Sequence, residues 1–188
     1  MAIKIFIDQG HNPRNPNAGA EGNGLREQDI TYAVGVALAD LLRADPNFDV
    51  LLSRNSPSEV LGNSNAQSLS LRTTAANNYG ADAFISIHVN ASDITSATGS
   101  EAYVFRREGV AEELAEDILE SLTEATGYPD RGVFVRPSLY VLRKTAMPAV
   151  LIELGFITNP GEAAFMNNNP LLYARGIYNG IRDYYGLS

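Results

Sequence analysis

Short apolar runs alternate along this chain with segments in which apolar residues recur every three or four positions. Lys4-Ile5-Phe6-Ile7, within Ile3–Asp8, has the β-branched and aromatic character of a buried strand. From Asp29 the period becomes helical: Ile30, Val34, Leu38, Leu41 and Leu42 share one face, and Pro46 closes the segment. Phe48–Ser53 predicts a second strand. Ser68 or Ser70 is the expected cap of a helix running to Tyr79, with Gly80 as its stop. Ala83–Ile87 predicts another buried strand, and Glu101–Phe105, where polar residues alternate with Ala102 and Val104, a less protected one. Val110–Thr126 is amphipathic at helical period, with Val110, Leu114, Ile118, Leu122 and Ala125 inward. Strands are expected around Leu139–Leu142 and at Ala149–Leu154. Asn159-Pro160-Gly161-Glu162 is a helix start, and Pro170–Tyr185 a last helix with Leu171, Ala174, Ile177, Tyr178, Ile181 and Tyr185 inward.

Strands that alternate with helices in this way predict an α/β fold: a single domain with a twisted, largely parallel sheet flanked by helices. The segments between are loops. Gln9–Gly24 is dense in Gly, Asn and Pro, and the loop that starts at His11 and runs to Glu27 is of a length that usually carries function. Arg54–Gln67 and Ser92–Thr98 are also read as loops.

Composition narrows the function. At 188 residues and 45% hydrophobic, the chain suffices for one full-sized domain, expected to span 1–188 without internal repeats or linkers. A formal charge of -8 and a pI near 4.7 argue against nucleic acid as a partner. Arg106-Arg107 and Arg143-Lys144, the compact basic groups, read as solvated strand-end charges, and Glu112, Glu113, Glu116, Asp117 and Glu120 as a solvated helix face. The absence of cysteine excludes disulfides, thiolate metal sites and a cysteine nucleophile. No apolar stretch approaches the ~20 residues that cross a bilayer, so no membrane insertion is expected. The N-terminus lacks the pattern of a secretory signal; either export does not use one or the sequence begins after its removal.

Candidate chemistry follows from the two histidines. His11 lies just past Ile3–Asp8 and His88 just past Ala83–Ile87, while Ala149–Ile152 ends on Glu153. In open α/β sheets ligands bind beyond the carboxyl ends of the strands, and neutral imidazole is the commonest metal ligand. A single histidine at a strand end is more often structural; the shared address of the whole histidine inventory and an acid favours a metal site. A third ligand would be an acid in the first loop: Glu21, Glu27 or Asp29. Glu27 is favoured because it stands where loop meets helix, whereas Glu21 lies among glycines and Asp29 suits a helix cap. Two imidazoles and one carboxylate leave a fourth position for water, the arrangement of a hydrolytic zinc site. A serine hydrolase is disfavoured, since no Gly-x-Ser-x-Gly elbow is present.

Four separated motifs then carry a resemblance. Ile7-Asp8-Gln9-Gly10-His11, the run from Gly19-Ala20 through Gly24 to Glu27-Gln28-Asp29, Ser86-Ile87-His88-Val89-Asn90-Ala91, and Pro148-Ala149-Val150-Leu151-Ile152-Glu153-Leu154-Gly155-Phe156 with Asn159 resemble the successive motifs of the zinc-dependent N-acetylmuramoyl-L-alanine amidases of the amidase-3 type. The resemblance covers essentially the whole chain; Ser70–Asn77 and Tyr140–Arg143 also fit it. Gln9 and Asn12-Pro13 depart from its usual residues around the first histidine, which affects loop shape but removes no proposed ligand.

The resemblance implies His11, Glu27 and His88 as ligands of zinc (Zn2+) and Glu153 as the catalytic acid–base, its pKa raised by walls of Leu151, Ile152, Leu154 and Phe156. Asn90 is expected to orient substrate, support a neighbour or stabilise the turn after its strand. The implied substrate is peptidoglycan or a muropeptide, cut at the amide between N-acetylmuramic acid and L-alanine. The place implied is the extracellular wall or periplasm, with a phage lysin or cytoplasmic release also compatible. The chain is expected to act as a monomer. Rival readings are a zinc exopeptidase or deacylase, and an inactive wall-binding module.

Overall fold

The apolar runs become the inner strands of a six-stranded sheet. The computed structural model describes residues 2–187, so the two terminal positions of the expected span lie outside the described residues. β1 (Ile3–Gln9) leads to a small antiparallel hairpin of β2 (Glu21–Gly22) and β3 (Leu25–Arg26), then α1 (Glu27–Ala44) and β4 (Phe48–Leu52). α2 (Asn65–Tyr79), β5 (Ala83–Asn90), β6 (Ser100–Val104), α3 (Val110–Thr126) and β7 (Asp130–Val135) follow. α4 (Tyr140–Lys144), β8 (Ala149–Phe156), α5 (Pro160–Asn168) and α6 (Pro170–Tyr184) complete the chain. The strand order is β4-β1-β5-β8-β6-β7; all neighbours run parallel except β6 against β8. The expected α/β class and largely parallel sheet are therefore present.

Strand alternation divides the interior into two cores. On one face Ile5, Ile7, Ile85, Ile87, Val150 and Ile152 pack with α1, α3 and α6. On the other, Phe6, Phe84, Ala149 and Leu151 pack with Ala76 of α2 and with Val141 and Leu142 of α4. α3 and α6 approach closely because α6 has Gly176 and Gly180 at the contact: a Cβ at Gly180 would lie 2.4 Å from Ile118 Cα.

Several expectations are corrected. Leu139–Leu142 is no strand; Tyr140–Lys144 forms α4, whose apolar residues lie flat on the second core. The strand in that region is β7, whose run is interrupted by Arg131 and by Gly132 at φ 97°. β6 is not less protected: it lies between β8 and β7, with Ser100, Glu101, Ala102 and Val104 buried. α2 starts earlier than expected, capped by Ser64, whose hydroxyl accepts from Gln67 N–H, while Ser68 is buried inside the helix. Asp29 does not cap α1; it lies in the first turn and is paired with Arg26, itself the N-cap position, at 2.7 Å. Val110 and Leu171, both at helix starts, are exposed rather than inward. Arg143 and Lys144 end a helix, not a strand. The Asn159 cap is as expected, its side chain accepting from Gly161 and Glu162 N–H.

Candidate metal centre

Cross-strand register sets side chains from five elements into two rows on the α2/α4 face. Asp8, Ser86, Leu151, Tyr103 and Phe134 form one row across β1, β5, β8, β6 and β7. His88, Glu153 and Glu101 form the next, one pleat nearer the carboxyl ends of β5 and β8. β5 and β8 run further than their apolar cores suggested, so His88 and Glu153 are within strands rather than beyond them.

His11 arrives from the loop after β1 in a left-handed conformation, φ 67°, uncommon for a residue with a side chain. Arg72 holds it there. Its guanidinium donates to His11 O and Gln9 O, both at 2.6 Å, and to Asp8 Oδ1 at 2.5 Å, with Asp8 and Arg72 each 1% exposed. Ser86 Oγ donates to the other Asp8 oxygen at 2.9 Å. Burial pushes the Asp8 carboxyl up, but the Arg72 charge and hydrogen bond, with His88 and Ser86 behind them, hold it below its ordinary range.

Glu27 enters from the first turn of α1. Its Oε1 lies 3.1 Å from His11 Nε2 and 3.0 Å from His88 Nδ1, and accepts from Val89 N–H at 3.0 Å; Oε2 accepts from Ala20 N–H at 2.8 Å. Burial raises its pKa, yet the hydrogen bonds and charges of the two imidazoles outweigh that and keep the carboxyl far below the usual carboxylate value. One ligand atom from each of His11, Glu27 and His88 lies within 4.8 Å of the others. Glu21 is exposed in β2 and Asp29 is exposed beside Arg26. The structure thus brings Glu27, of the three loop acids, to the histidines.

Two glycines make room. A Cβ at Gly10 would lie 2.7 Å from His88 Nε2 and 2.5 Å from Ile87 O, and one at Gly19 would lie 2.7 Å from Glu27 Oε2. Beside the imidazoles is a small cavity of about 130 Å³, lined in part by Leu139, Tyr140 and Leu151.

Glu153 faces the same side, directly across from His88 on one flank and Glu101 on the other. Burial, then the charges of Glu27 and Glu101, pushes its carboxyl well above the ordinary glutamate range. The expected apolar walls need correction: Ile152 and Leu154 turn into the opposite core, and two nearby acids contribute instead. Glu153 Oε2 and His11 Nδ1 are buried without a hydrogen-bond partner among the described residues. Two imidazoles and an ionised carboxylate at this spacing fit a divalent ion that prefers nitrogen and oxygen ligands, zinc foremost.

Asn90 is tied into the neighbouring network. It donates to Glu101 Oε1 at 2.8 Å and accepts from Ala91 N–H at 2.9 Å. Glu101 also pairs with Arg131 Nε at 2.8 Å and accepts from the Tyr103 hydroxyl. The sequence reading passed over Glu101, Arg131 and the hold of Arg72 on His11. The signal available was Asp8, an acid ending an otherwise apolar run that must be buried and therefore paired.

Fold and site together describe an α/β protein with a candidate metal triad at a carboxyl edge of its sheet and a separate, partly buried acid beside it. The chain belongs to the N-acetylmuramoyl-L-alanine amidase family, which it matches over residues 5–183. It is 38% identical over 190 residues to the N-acetylmuramoyl-L-alanine amidase CwlM of Bacillus licheniformis, covering 99% of this chain and 70% of that one. It is also 38% identical over 189 residues to the sporulation-specific N-acetylmuramoyl-L-alanine amidase of Bacillus subtilis strain 168, covering 98% and 69%. The crystal structure of an N-acetylmuramoyl-L-alanine amidase from Clostridium difficile 630 superposes with a TM-score of 0.87 at 31% identity, covering 98% of this chain and 97% of that one. No helix among the described residues is long and apolar enough to cross a membrane.

Proposed function

We propose that this cell-wall amidase hydrolyses the amide between the lactyl group of N-acetylmuramic acid and L-alanine of the stem peptide, using one zinc ion held by His11, Glu27 and His88. The observation that carries the reading is the convergence of those three side chains within 4.8 Å, beside a carboxyl whose buried oxygen has no partner among the described residues. When bound, zinc supplies Lewis-acid polarisation of the amide carbonyl and lowers the pKa of a water.

Glu153 moves the proton. It accepts one from the attacking water and returns it to the leaving nitrogen, so that a carboxylate remains on the glycan and a free amine leaves on L-alanine. A carboxyl whose pKa burial and neighbouring acids raise suits a group that must both take up and give back a proton. Arg72 and Asp8 fix the backbone that presents His11, and Gly10 and Gly19 let His88 and Glu27 close in. Ligands and acid all come from this chain, which supports action as a monomer. A peptidoglycan substrate supports action at the cell wall, outside the membrane or in the periplasm, and is equally compatible with a phage lysin or with release from the cytoplasm.

A muropeptide digest is the test. Stem peptide carrying a free L-alanine amine is the expected product; release of single amino acids would replace this reading with an exopeptidase, and an uncut substrate with zinc supplied would replace it with a binding module.

A further inference from the structure

Two arginines are buried among the elements that present the metal ligands, and only one has a carboxylate partner. Arg72 is paired with Asp8 at 2.5 Å. Arg54, also 1% exposed, forms no ion pair among the described residues, and its Nε is buried without a hydrogen-bond partner among them. Burial, with the nearby charge of Arg72, pulls its pKa down to about 10, so it is still charged at neutral pH. A buried cation without a counter-ion is a cost to the fold that packing alone does not offset.

The contacts of the Arg54 side chain are with the first turns of α1. Its Nη2 donates to Gln28 O at 3.0 Å, and its guanidinium lies over the Tyr32 ring, one helical turn on, at 4.9 Å. Its backbone is rooted in β1: Arg54 N–H donates to Gln9 Oε1 at 2.9 Å, and Arg54 O accepts from Gln9 Nε2 at 3.3 Å. α1 has use for such an anchor, because its N-cap position, Arg26, supplies no side-chain cap. Other bonds converge on the same turn. Gly19 N–H donates to Gln28 Oε1 at 3.1 Å, and Glu27 N–H donates to Ala20 O at 2.9 Å. Gln28 directly follows Glu27, whose Oε1 lies 3.1 Å from one imidazole and 3.0 Å from the other.

We propose that Arg54 is a positioning residue: it ties the first turn of α1 to β1 and so fixes the place at which Glu27 meets the metal. The inference rests on the zinc reading of the triad. Charge and position predict opposite signs for it. A guanidinium near a divalent cation repels it, so by charge alone the removal of Arg54 would tighten zinc binding; by position, removal loosens it. A methionine in its place occupies similar space and leaves no charge unpaired, so the fold itself has nothing to lose by the exchange.

Zinc competition titrations against a chelator, with urea denaturation of the metal-free chain, are the test. Arg54→Met should bind zinc roughly 10–100-fold more weakly, the range for losing a group that supports a metal ligand, while its metal-free urea midpoint stays at or above that of the parent. Arg54→Lys, which keeps the charge and a donor, should recover part of the zinc affinity. In a Glu27→Gln background Arg54→Met should cause little further loss, because the residue acts through Glu27. Zinc binding in Arg54→Met equal to or tighter than in the parent, or a loss of the same size with and without the Glu27 carboxylate, would overturn the assignment. So would a metal-free urea midpoint that falls in Arg54→Met with no recovery of zinc affinity in Arg54→Lys. Failure of the zinc reading is separately visible, as a parent that takes up no zinc.

Discussion

The two faces of the sheet come from the same strands and obey opposite rules. Toward α1, α3 and α6 the strand centres present isoleucine and valine, and helix meets helix through Gly176 and Gly180. Toward α2 and α4 the same strands present Asp8, Ser86, His88, Glu153 and Glu101 beside Phe6, Phe84 and Leu151. The period-two alternation lets one side of a strand stabilise the fold while the other carries chemistry. The polar face buries charge, and its acids differ in how that is offset. Asp8 is matched by Arg72, and Glu27 by two imidazoles; Glu153 forms no ion pair among the described residues and keeps its proton more tightly instead.

Breaking the two faces should therefore give different failures. The largest effect is expected from Glu153→Gln, which should lower turnover by roughly 10²–10⁴, the range for loss of a general acid or base, in a folded protein. Steady-state hydrolysis of a muropeptide measures it. Arg72→Met leaves Asp8 buried without its partner and should cost about 3–5 kcal/mol in chemical denaturation, with looser metal retention because His11 loses its backbone anchor. Gly180→Ala attacks the other face: forcing a methyl toward Ile118 and Asp117 should cost about 1–3 kcal/mol while activity per folded molecule stays at the parent level.

A smaller effect separates Glu153 from the paired acids by pH. Its folded pKa is raised, so the metal-free protein loses stability as pH climbs above the ordinary value of 4.5. Asp8 and Glu27 are depressed, and their contribution, present above the ordinary carboxylate pKa, is lost as pH falls through their folded values. Metal-free Glu153→Gln should accordingly be more stable than the parent at pH 7, and this advantage should shrink below pH 4.5. Denaturation at both pH values checks it; a Glu153→Gln less stable at pH 7 would mean that the carboxylate is stabilised by its surroundings.

The strands Ile3–Gln9, Ala83–Asn90 and Ala149–Phe156 were legible because parallel strands buried on both faces need continuous apolar runs. β7 was not, because Arg131, Gly132 and its exposed position interrupt the run, and the apolar Leu139–Leu142 offered a false substitute. Likewise the start of α2 was expected at Ser68 or Ser70, and its cap, Ser64, was passed over within the polar segment read as a loop, where no apolar period marks the first turn. That His11, His88 and Glu153 share one side of the sheet was legible from their places just past apolar runs, although β5 and β8 continue beyond the last two. Glu27 was distinguished from Glu21 and Asp29 by its place at the junction, and the resemblance agreed. Arg72 and Glu101 act through partners 61 and 11 residues away, His11 and Asn90, so their place in the site is a property of the fold and not of local spacing.

Metal content of a small variant set tests the central assignment most directly. After dialysis against metal-free buffer and addition of zinc, elemental analysis should find one zinc per chain in the parent and in Glu153→Gln. His88→Ala and Glu27→Ala should retain far less. A parent that takes no zinc and gains no activity from it, or a Glu153→Gln that loses zinc together with turnover, would contradict the division between three ligands and a separate acid–base.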